Sequence, residues 1–231
     1  MPPNIHKSQA ANHVTSPRSP EPAPDCRRCP RLAEFRDRQK LENPGWFNAP
    51  VPSFGRSSAR LLIVGLAPGL KGANRTGRPF TGDFAGELLY STLLKYGFAR
   101  GIYRADPADG LELVDCMITN AVRCVPPENK PTPVEINTCR PFLTARMAAL
   151  PNLLAVLALG RIAHDQTLSA FDLKRAPFPF AHGARHTLSP GVTLFDSFHC
   201  SRYNTNTGRL TEAAFHAVFE MIVAEIRPRS V

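Results

Sequence analysis

Short apolar runs alternate with amphipathic stretches along most of this chain. Leucines at helical spacing predict a helix over residues 84–96, and two further helices are predicted over 134–150 and 211–226. The short runs between them are rich in leucine and β-branched residues, which is typical of buried strands in a parallel sheet. These predicted strands cover residues 60–64, 114–122, 153–159 and 192–195. Strands that alternate with helices predict an α/β fold, with helices covering both faces of a central parallel sheet.

The first 25 residues differ in composition from the rest of the chain. They contain six prolines and almost no large apolar side chain, so they bury too little surface to offset the entropy of ordering. We expect a disordered tail over residues 1–25 and a single domain over 26–231, because roughly 200 residues suit one core. No apolar run approaches the ~18 residues of a membrane span, so we expect a cytoplasmic protein without a membrane partner.

The charge balance favours an anionic partner. The chain has 28 Lys and Arg against 19 Asp and Glu, a formal net charge of +9. A basic surface of this kind attracts nucleic acid or an acidic membrane. Charge alone does not choose between them, since many basic proteins bind neither.

The six cysteines suggest metal binding. In a reducing compartment, cysteines are better read as metal ligands, catalytic groups or core residues than as disulfides. Zinc and an iron–sulfur cluster both suit a C-x2-C pair joined by a distant C-x14-C pair, and ordinary unligated thiols remain the alternative. The four cysteines in this spacing are Cys26, Cys29, Cys124 and Cys139. Cys116 lies in an apolar run and is expected in the core, and Cys200 lies beside a polar motif near the expected cleft.

A glycine-rich segment over residues 65–83, GLAPGLKGANRTGRPFTGD, follows the first predicted strand. Ligands of open α/β sheets bind where loops leave the carboxyl ends of strands, and glycine lets backbone approach a ligand closely. Phe80 offers a face for stacking on a planar heterocycle, and Asp83 offers a carboxylate that could position water. The alternatives are a core position for Phe80 and a helix N-cap for Asp83.

Two further polar motifs follow later strands. Asn120 ends the second strand and offers a donor and an acceptor together, as reading a pyrimidine edge requires. Asparagine at a strand end is also a common turn former. The segment HCSRYNTNTGRLT over 199–211 concentrates groups that donate to phosphates or to a developing anion.

Together these motifs resemble the uracil-DNA glycosylase superfamily, specifically its iron–sulfur branch of type B, often called family five. The resemblance rests on residues 65–83, on TNAVRC over 119–124, on residues 199–211 and on the cysteine spacing. Leu66 stands where type A relatives carry a glutamate, which fits type B. The resemblance implies a three-layer α/β/α sandwich with a central four-stranded parallel sheet. It also implies a four-iron four-sulfur cluster, rather than zinc, on Cys26, Cys29, Cys124 and Cys139.

The resemblance implies an activity as well. The enzyme would remove uracil, and other deaminated bases such as hypoxanthine, from damaged DNA by hydrolysing the N-glycosidic bond. We expect a monomer that uses water as nucleophile and does not cut the strand, because no lysine in these motifs suggests Schiff-base chemistry. Whether single strands are substrates stays open. Two other functions remain: a non-catalytic iron–sulfur module that binds nucleic acid, and a zinc-stabilised hydrolase of free nucleosides.

The resemblance assigns roles to individual residues. Phe80 would stack on the extruded base, Asn120 would bond to its polar edge, and the backbone from Ala67 to Gly69 would line the pocket. His199 would donate to the leaving base, and Asp83 is the candidate for positioning water. We expect DNA contacts from Arg75, Arg78, Ser201, Arg202 and Asn204.

Overall fold

The computed structural model describes residues 20–189 and 191–227. Most of the predicted tail, residues 1–19, lies outside the described residues. The helices are α1 (Pro30–Glu42), α2 (Ala73–Thr76), α3 (Phe84–Lys95), α4 (Pro133–Ala148), α5 (Arg161–Ala170), α6 (Arg202–Asn206) and α7 (Glu212–Ile226), and a 3-10 turn covers Pro127–Asn129. The strands are β1 (Phe54–Gly55), β2 (Leu61–Gly65), β3 (Ala99–Arg100), β4 (Glu112–Leu113), β5 (Cys116–Asn120), β6 (Ala155–Leu159), β7 (Arg185–Ser189) and β8 (Val192–Ser197).

The main sheet is mixed and has six strands in the order β1-β5-β2-β6-β8-β7. Strands β5, β2, β6 and β8 pair in parallel, and the two edge strands pair antiparallel. The α/β class is therefore confirmed, whereas the expected sheet of four strands is too small. Strand β7 is not among the predicted strands because only Leu188 within it is buried, and this edge strand therefore lacks the continuous apolar run of a central one.

Helices cover both faces of the sheet. Because side chains alternate along a strand, Leu61 and Ile63 of β2 join a core with α3 and α7. Leu62 and Val64 face the other way, into a core with α4 and α5. Among the described residues, no helix combines the length and the apolar character needed to cross a membrane.

The segment before α1 packs on the domain. Glu21 accepts hydrogen bonds from Arg123 at 2.9 Å and from Arg146, and the Pro24 carbonyl accepts one from Arg36 at 3.2 Å. A third apolar cluster joins α1 to α4 through Leu32 and other buried side chains. The packed part of the chain thus begins by Pro20, within the segment expected to form the tail.

Candidate active site

A cavity of about 560 Å³ opens at the carboxyl edge of the sheet, within the usual size of small-molecule sites. Its walls come from the glycine-rich segment, from the end of β5 and from the turn after β8. Eight of the predicted site residues line this cavity: Ala67, Gly69, Phe80, Asp83, Asn120, His199, Ser201 and Arg202. Segments far apart in sequence meet here because parallel strands place all their carboxyl ends at one edge.

Phe80 forms a buried aromatic wall of the cavity. Its φ of 54° lies in the left-handed region, which is rare and strained for a bulky residue. The Phe80 carbonyl accepts a hydrogen bond from the Tyr103 hydroxyl at 3.3 Å. A Cβ at Gly86 would lie 1.9 Å from that carbonyl oxygen, so glycine is required there. The Phe80 ring stacks on His199 with centroids 5.7 Å apart and an interplanar angle of 29°.

Asn120 presents a buried acceptor to the cavity. The residue is 3 % exposed, and its Oδ1 has no hydrogen-bond partner among the described residues. Gly65 pairs with it across the sheet, and a Cβ at Gly65 would lie 2.4 Å from Oδ1 and 2.7 Å from Phe80 Cζ. A buried acceptor without a partner costs about 1–3 kcal/mol, so the amide is held ready for a ligand.

Asp83 caps a helix and also lines the cavity. It is the N-cap of α3, and its Oδ1 accepts a hydrogen bond from the Gly86 N–H at 3.2 Å. The other oxygen faces the glycine-rich segment, since a Cβ at Gly69 would lie 3.1 Å from Oδ2 and one at Gly72 only 2.4 Å. Burial raises the pKa of Asp83, and backbone hydrogen bonds oppose this rise. One carboxylate oxygen thus caps the helix while the other stands at the cavity.

His199 is held in the turn that follows β8. Its carbonyl accepts a hydrogen bond from Asn204 Nδ2 at 2.8 Å, and the next residue, Cys200, donates its thiol to the Ala85 carbonyl at 3.3 Å. Burial lowers the pKa of His199 to about 4. The ring is therefore neutral near pH 7 and acts as an N–H donor without carrying charge.

The turn continues into the short helix α6 at the mouth of the cavity. Ser201 caps this helix by accepting from the Asn204 N–H at 3.4 Å. Arg202 is exposed and lies over the Phe84 ring, 5.1 Å from its centroid. Tyr203 is 71 % exposed, an unusual position for a large aromatic side chain. Helix α6 thus presents a cation that lines the cavity and, next to it in the chain, an aromatic ring to solvent.

The structure contradicts the DNA contact predicted for Arg78. The residue is 5 % exposed and forms a bidentate ion pair with the buried Asp109, at 2.8 and 2.7 Å. Its guanidinium lies between aromatic rings, among them Tyr90 and Phe54. A phosphate could not reach it without breaking this pair. Arg78 is a structural residue, and its hydrogen bonds hold the pKa of Asp109 well below its usual range.

The remaining predicted DNA contacts lie outside the cavity. Arg75 is exposed, and its Nε donates to the Lys71 carbonyl at 2.8 Å. Asn204 lines a neighbouring cavity of about 480 Å³, which it shares with His199, Arg161 and other residues. Both side chains therefore flank the main cavity rather than lining it.

Two polar residues that line the cavity are not among the predicted site residues. Lys71 lies within the glycine-rich segment and lines the cavity, and Asn129 reaches it from the 3-10 turn. Asn129 has a φ of 57°, and the proline-rich sequence around it predicted only a turn. Nothing in either local sequence distinguishes a cavity-lining residue from an ordinary loop residue, because their position depends on how distant loops pack.

Four cysteines line a second, smaller pocket: Cys26, Cys29, Cys124 and Cys139. Burial raises the pKa of Cys29 to about 11 and that of Cys124 to about 12, and nearby thiols add to both. Four thiolates can share such a site only with a cationic group to bind them. The Arg123 N–H donates to Cys139 Sγ at 3.3 Å, a hydrogen bond that suits a metal-bound thiolate. The donor set therefore fits a metal centre.

The spacing of these thiols bears on the kind of centre. Among the described residues, the one group of three potential ligands within 4.8 Å of one another is His164, His186 and Asp196. No three of the four thiols, which all belong to the described part of the chain, therefore lie within 4.8 Å of one another. Tetrahedral zinc would need a closer arrangement, because Zn–S bonds of about 2.3 Å put the sulfur atoms roughly 3.8 Å apart. A larger, polynuclear centre suits that spread better than a single ion.

Comparison with known proteins extends over most of the chain. A sequence profile of the uracil DNA glycosylase superfamily matches residues 52–222. A protein named type-5 uracil-DNA glycosylase, from Thermus thermophilus, is 44% identical over 195 residues, which cover 82% of this chain and 89% of the relative. Proteins of the same name from Mycobacterium bovis and Mycobacterium leprae are each 41% identical over 202 residues. Those matches cover 84% of this chain, and 75% and 88% of the respective relatives.

Proposed function

The chain belongs to the uracil-DNA glycosylase superfamily and resembles its type-5 members over more than four-fifths of its length, and from this premise we propose that it removes uracil from DNA in base excision repair. Water hydrolyses the N-glycosidic bond and an abasic site remains. The observation that carries this function is the unpartnered Oδ1 of Asn120 beside Phe80 and His199 in one cavity. A planar base with an N–H on its edge satisfies that acceptor.

The first step is extrusion of the base from the duplex. Unstacking costs a few kcal/mol, and less for a mispaired uracil. The exposed Tyr203 and Arg202 lie at the cavity mouth, where an aromatic ring fills the gap left in the stack and a guanidinium meets a phosphate. The extruded base then stacks on Phe80, and the Asn120 amide pairs with its polar edge.

Bond cleavage follows from the charges that develop. Positive charge grows on the sugar and negative charge on the departing uracil, as in other reactions with an oxocarbenium-like transition state. Neutral His199 donates a hydrogen bond to the leaving base, which stabilises the negative charge. Asp83 Oδ2 accepts a hydrogen bond from water and directs it to the sugar carbon. Its oxygen Oδ1 stays on the helix cap throughout.

The enzyme acts without cutting the strand. Lys71 is the lysine at the cavity, and its side chain is exposed. A lysine nucleophile requires desolvation or a cationic neighbour to lose its proton, and solvent contact opposes this. Borohydride added during turnover is therefore expected to trap no covalent adduct with DNA. A trapped adduct that disappears in Lys71→Gln would assign strand-cleaving chemistry to this chain.

Cys26, Cys29, Cys124 and Cys139 would hold a four-iron four-sulfur cluster, which braces the segments around it. These cysteines come from α1 and its preceding turn, from α4 and from the stretch after β5, so a bound cluster would connect these elements. Asn120 lies four residues before Cys124, so the same stretch of chain reaches both the cluster and the cavity. A colourless protein that carries zinc at full activity would contradict this assignment.

We propose that the substrate range includes other deaminated bases, hypoxanthine in particular. Backbone and small side chains form the pocket wall from Ala67 to Gly69, and the cavity of about 560 Å³ holds a purine. Residue 66 is a leucine, so no acidic side chain stands there to select bases by the hydrogen-bonding pattern of one edge. We therefore expect the rate of hypoxanthine release to be lower than that of uracil release but well above that of adenine release.

One assay tests the function and its alternatives. A labelled duplex with a single uracil is incubated with the protein and then treated with alkali, which cuts abasic sites, and matched duplexes carry thymine, hypoxanthine or an alkylated base. Cleavage at uracil but not at thymine supports the glycosylase. Tight binding without cleavage would instead indicate a non-catalytic nucleic-acid-binding module. Release of base from free deoxyuridine would indicate a nucleoside hydrolase.

A further inference from the structure

A compact group of metal-binding side chains lies apart from both the cavity and the thiols. His164 of α5, His186 of β7 and Asp196 of β8 bring one ligand atom each to within 4.8 Å of one another. His164 and Asp196 are 1 % and 0 % exposed. None of the three lines the base cavity or the cysteine pocket, and the glycosylase reaction uses none of them.

The sheet register brings the three residues together. His186 pairs with Leu194 in the antiparallel β7–β8 ladder, so His186 and Asp196 are diagonal neighbours on one face. Leu194 on that face packs in the core that includes α5 residues Ala163 and Leu168. His164 follows Ala163 on the helix and reaches Asp196 directly.

The hydrogen bond between His164 and the Phe178 carbonyl leaves two acceptor atoms, His164 Nδ1 and Asp196 Oδ1, facing each other. His164 Nε2 lies 2.9 Å from the Phe178 carbonyl oxygen, which can only accept, so Nε2 carries the hydrogen. In the neutral ring the lone pair is then on Nδ1, which lies 2.8 Å from Asp196 Oδ1. Two acceptors at this distance need a cation or an extra proton between them. Asp196 Oδ2 is buried and has no hydrogen-bond partner among the described residues, and its contact with the histidines is to His186 Nε2 at 3.5 Å.

We propose that His164 Nδ1, His186 Nε2 and the Asp196 carboxylate bind a divalent transition metal ion, with zinc as the best match. Two imidazoles and one carboxylate form a common zinc donor set. The His164 bond to the Phe178 carbonyl is the outer contact that fixes the tautomer of a metal-bound histidine. The Pro179 carbonyl oxygen lies 3.2 Å from His186 Nε2 and can only accept, so without a metal this nitrogen carries the hydrogen. Metal binding requires that hydrogen to move to Nδ1 of the neutral ring.

The surroundings suit a structural ion. The Phe180 ring packs edge-on against His164 at 5.6 Å and the Phe178 ring against His186 at 5.7 Å, which gives an apolar shell. An ion here joins α5, β7, β8 and the loop that carries these phenylalanines. Asp196 lies three residues before His199, so the ion positions the carboxyl end of β8 from which the catalytic turn leaves.

The test measures zinc in the full chain with its iron–sulfur cluster in place. The protein is mixed with zinc sulfate, dialysed against metal-free buffer and analysed for zinc and iron by inductively coupled plasma mass spectrometry. One zinc per chain is expected in addition to the iron. Zinc K-edge X-ray absorption is expected to give nitrogen and oxygen ligands at about 2.0–2.1 Å, because thiolates would lie near 2.3 Å. Zinc is also expected to raise the melting temperature.

Matched variants assign the ion to this group. His186→Gln is expected to lose at least tenfold in zinc affinity, whereas His216→Gln, at a histidine beside Lys95, keeps it. Where His186→Gln folds poorly, ¹⁵N-resolved histidine spectra of the wild-type protein decide: zinc is expected to shift two histidine resonances and to leave unmoved the His216 resonance, which His216→Gln identifies. No zinc after dialysis, sulfur ligation, or equal binding by both variants would overturn the proposal and leave a proton-bridged His164–Asp196 pair.

Discussion

At the scale of single residues, Asp83 places one carboxylate both at a helix cap and at the cavity. Its Oδ1 caps α3 and its Oδ2 faces the glycines of the cavity wall. Burial raises its pKa, so the proton is held more tightly than in water and the group is closer to the pKa range useful for acid–base chemistry. The helix cap and the proposed role in catalysis can be tested separately by substituting asparagine, because asparagine caps a helix as well as aspartate does.

Asp83→Asn is expected to slow single-turnover uracil release about 10²–10⁴-fold, since the water loses its acceptor. Its melting temperature should stay within a few degrees of wild type, because the cap is kept. Asp83→Ala is expected to lose the same activity and, in addition, about 1 kcal/mol of stability. Equal activity of Asp83→Asn and wild type in the alkali assay would remove Asp83 from the reaction and leave it as a cap.

Gly65→Ala tests whether activity depends on the close approach of Asn120 and Phe80 to the Gly65 backbone at the floor of the cavity. A Cβ would meet Asn120 Oδ1 at 2.4 Å and Phe80 Cζ at 2.7 Å, so one or both groups must move. We expect a loss in activity of about 100-fold, the usual effect of displacing catalytic groups by about 1 Å. Gly45→Ala is the control, because a Cβ there meets nothing within 4 Å. Wild-type rates for Gly65→Ala would show that the Asn120–Phe80 geometry is not critical.

The pKa of His199 predicts a specific loss of stability in acid. Its pKa falls from 6.5 to about 4 on burial, so between these values the unfolded chain binds more protons than the folded one. Stability from this group is therefore complete above about pH 6.5 and decreases as the pH falls toward 4. Urea unfolding at several pH values is expected to show a smaller acid loss in His199→Gln than in wild type. The raised pKa of Asp83 makes its own contribution to stability increase as the pH falls. This contribution is the same in wild type and in His199→Gln, so it does not affect the comparison.

At the scale of elements, the cysteines join the start of α1 to the end of β5 and to α4. Cys124→Ser is expected to cost the brown colour and most of the iron, together with much of the folded yield, because an incomplete ligand set leaves buried thiols without their cation. Cys116→Ala is the matched control. Cys116 is equally buried but lies within β5, in the apolar core, so iron per chain should not change. Iron retained in Cys124→Ser would exclude Cys124 as a ligand.

The glycine-rich segment is itself held by ion pairing. Arg78 follows α2 and pairs with Asp109 in the loop before β4, while Tyr90 of α3 donates to the Pro79 carbonyl at 2.6 Å. Phe80 adopts its strained backbone between these contacts. Strain of this kind persists only where surrounding structure enforces it, which explains a buried arginine in a segment that otherwise serves a ligand.

At the scale of the whole molecule, the net charge of +9 predicts DNA binding that weakens steeply with salt. Arg202→Gln removes an exposed cation at the cavity mouth, so the slope of log K against log salt is expected to fall by about 1. Arg78→Gln is expected to leave that slope unchanged and to lose about 3–5 kcal/mol of stability instead, because it leaves the buried Asp109 carboxylate without its partner. Fluorescence anisotropy at several salt concentrations and urea unfolding distinguish the two variants. A reduced salt slope in Arg78→Gln would restore Arg78 as a DNA contact.

The sequence by itself determined the α/β class, the central strands and the motifs that meet at the cavity. Apolar runs and helical spacing are local consequences of burial, so β2, β6 and α3 could be placed within a few residues. Edge strands β1 and β7 carry too few buried side chains to leave such a pattern. The sequence also left Asp83 between two roles that local pattern alone does not separate.

Only the tertiary structure decided which polar groups are free to meet a ligand. Arg75 and Arg78 lie three residues apart in one basic segment, yet one is exposed and the other is buried against Asp109. Lys71 and Asn129 reach the cavity, and His164, His186 and Asp196 converge from three elements. A side chain's solvation and partners depend on residues distant in sequence, so they become defined only when the sheet and its loops pack together.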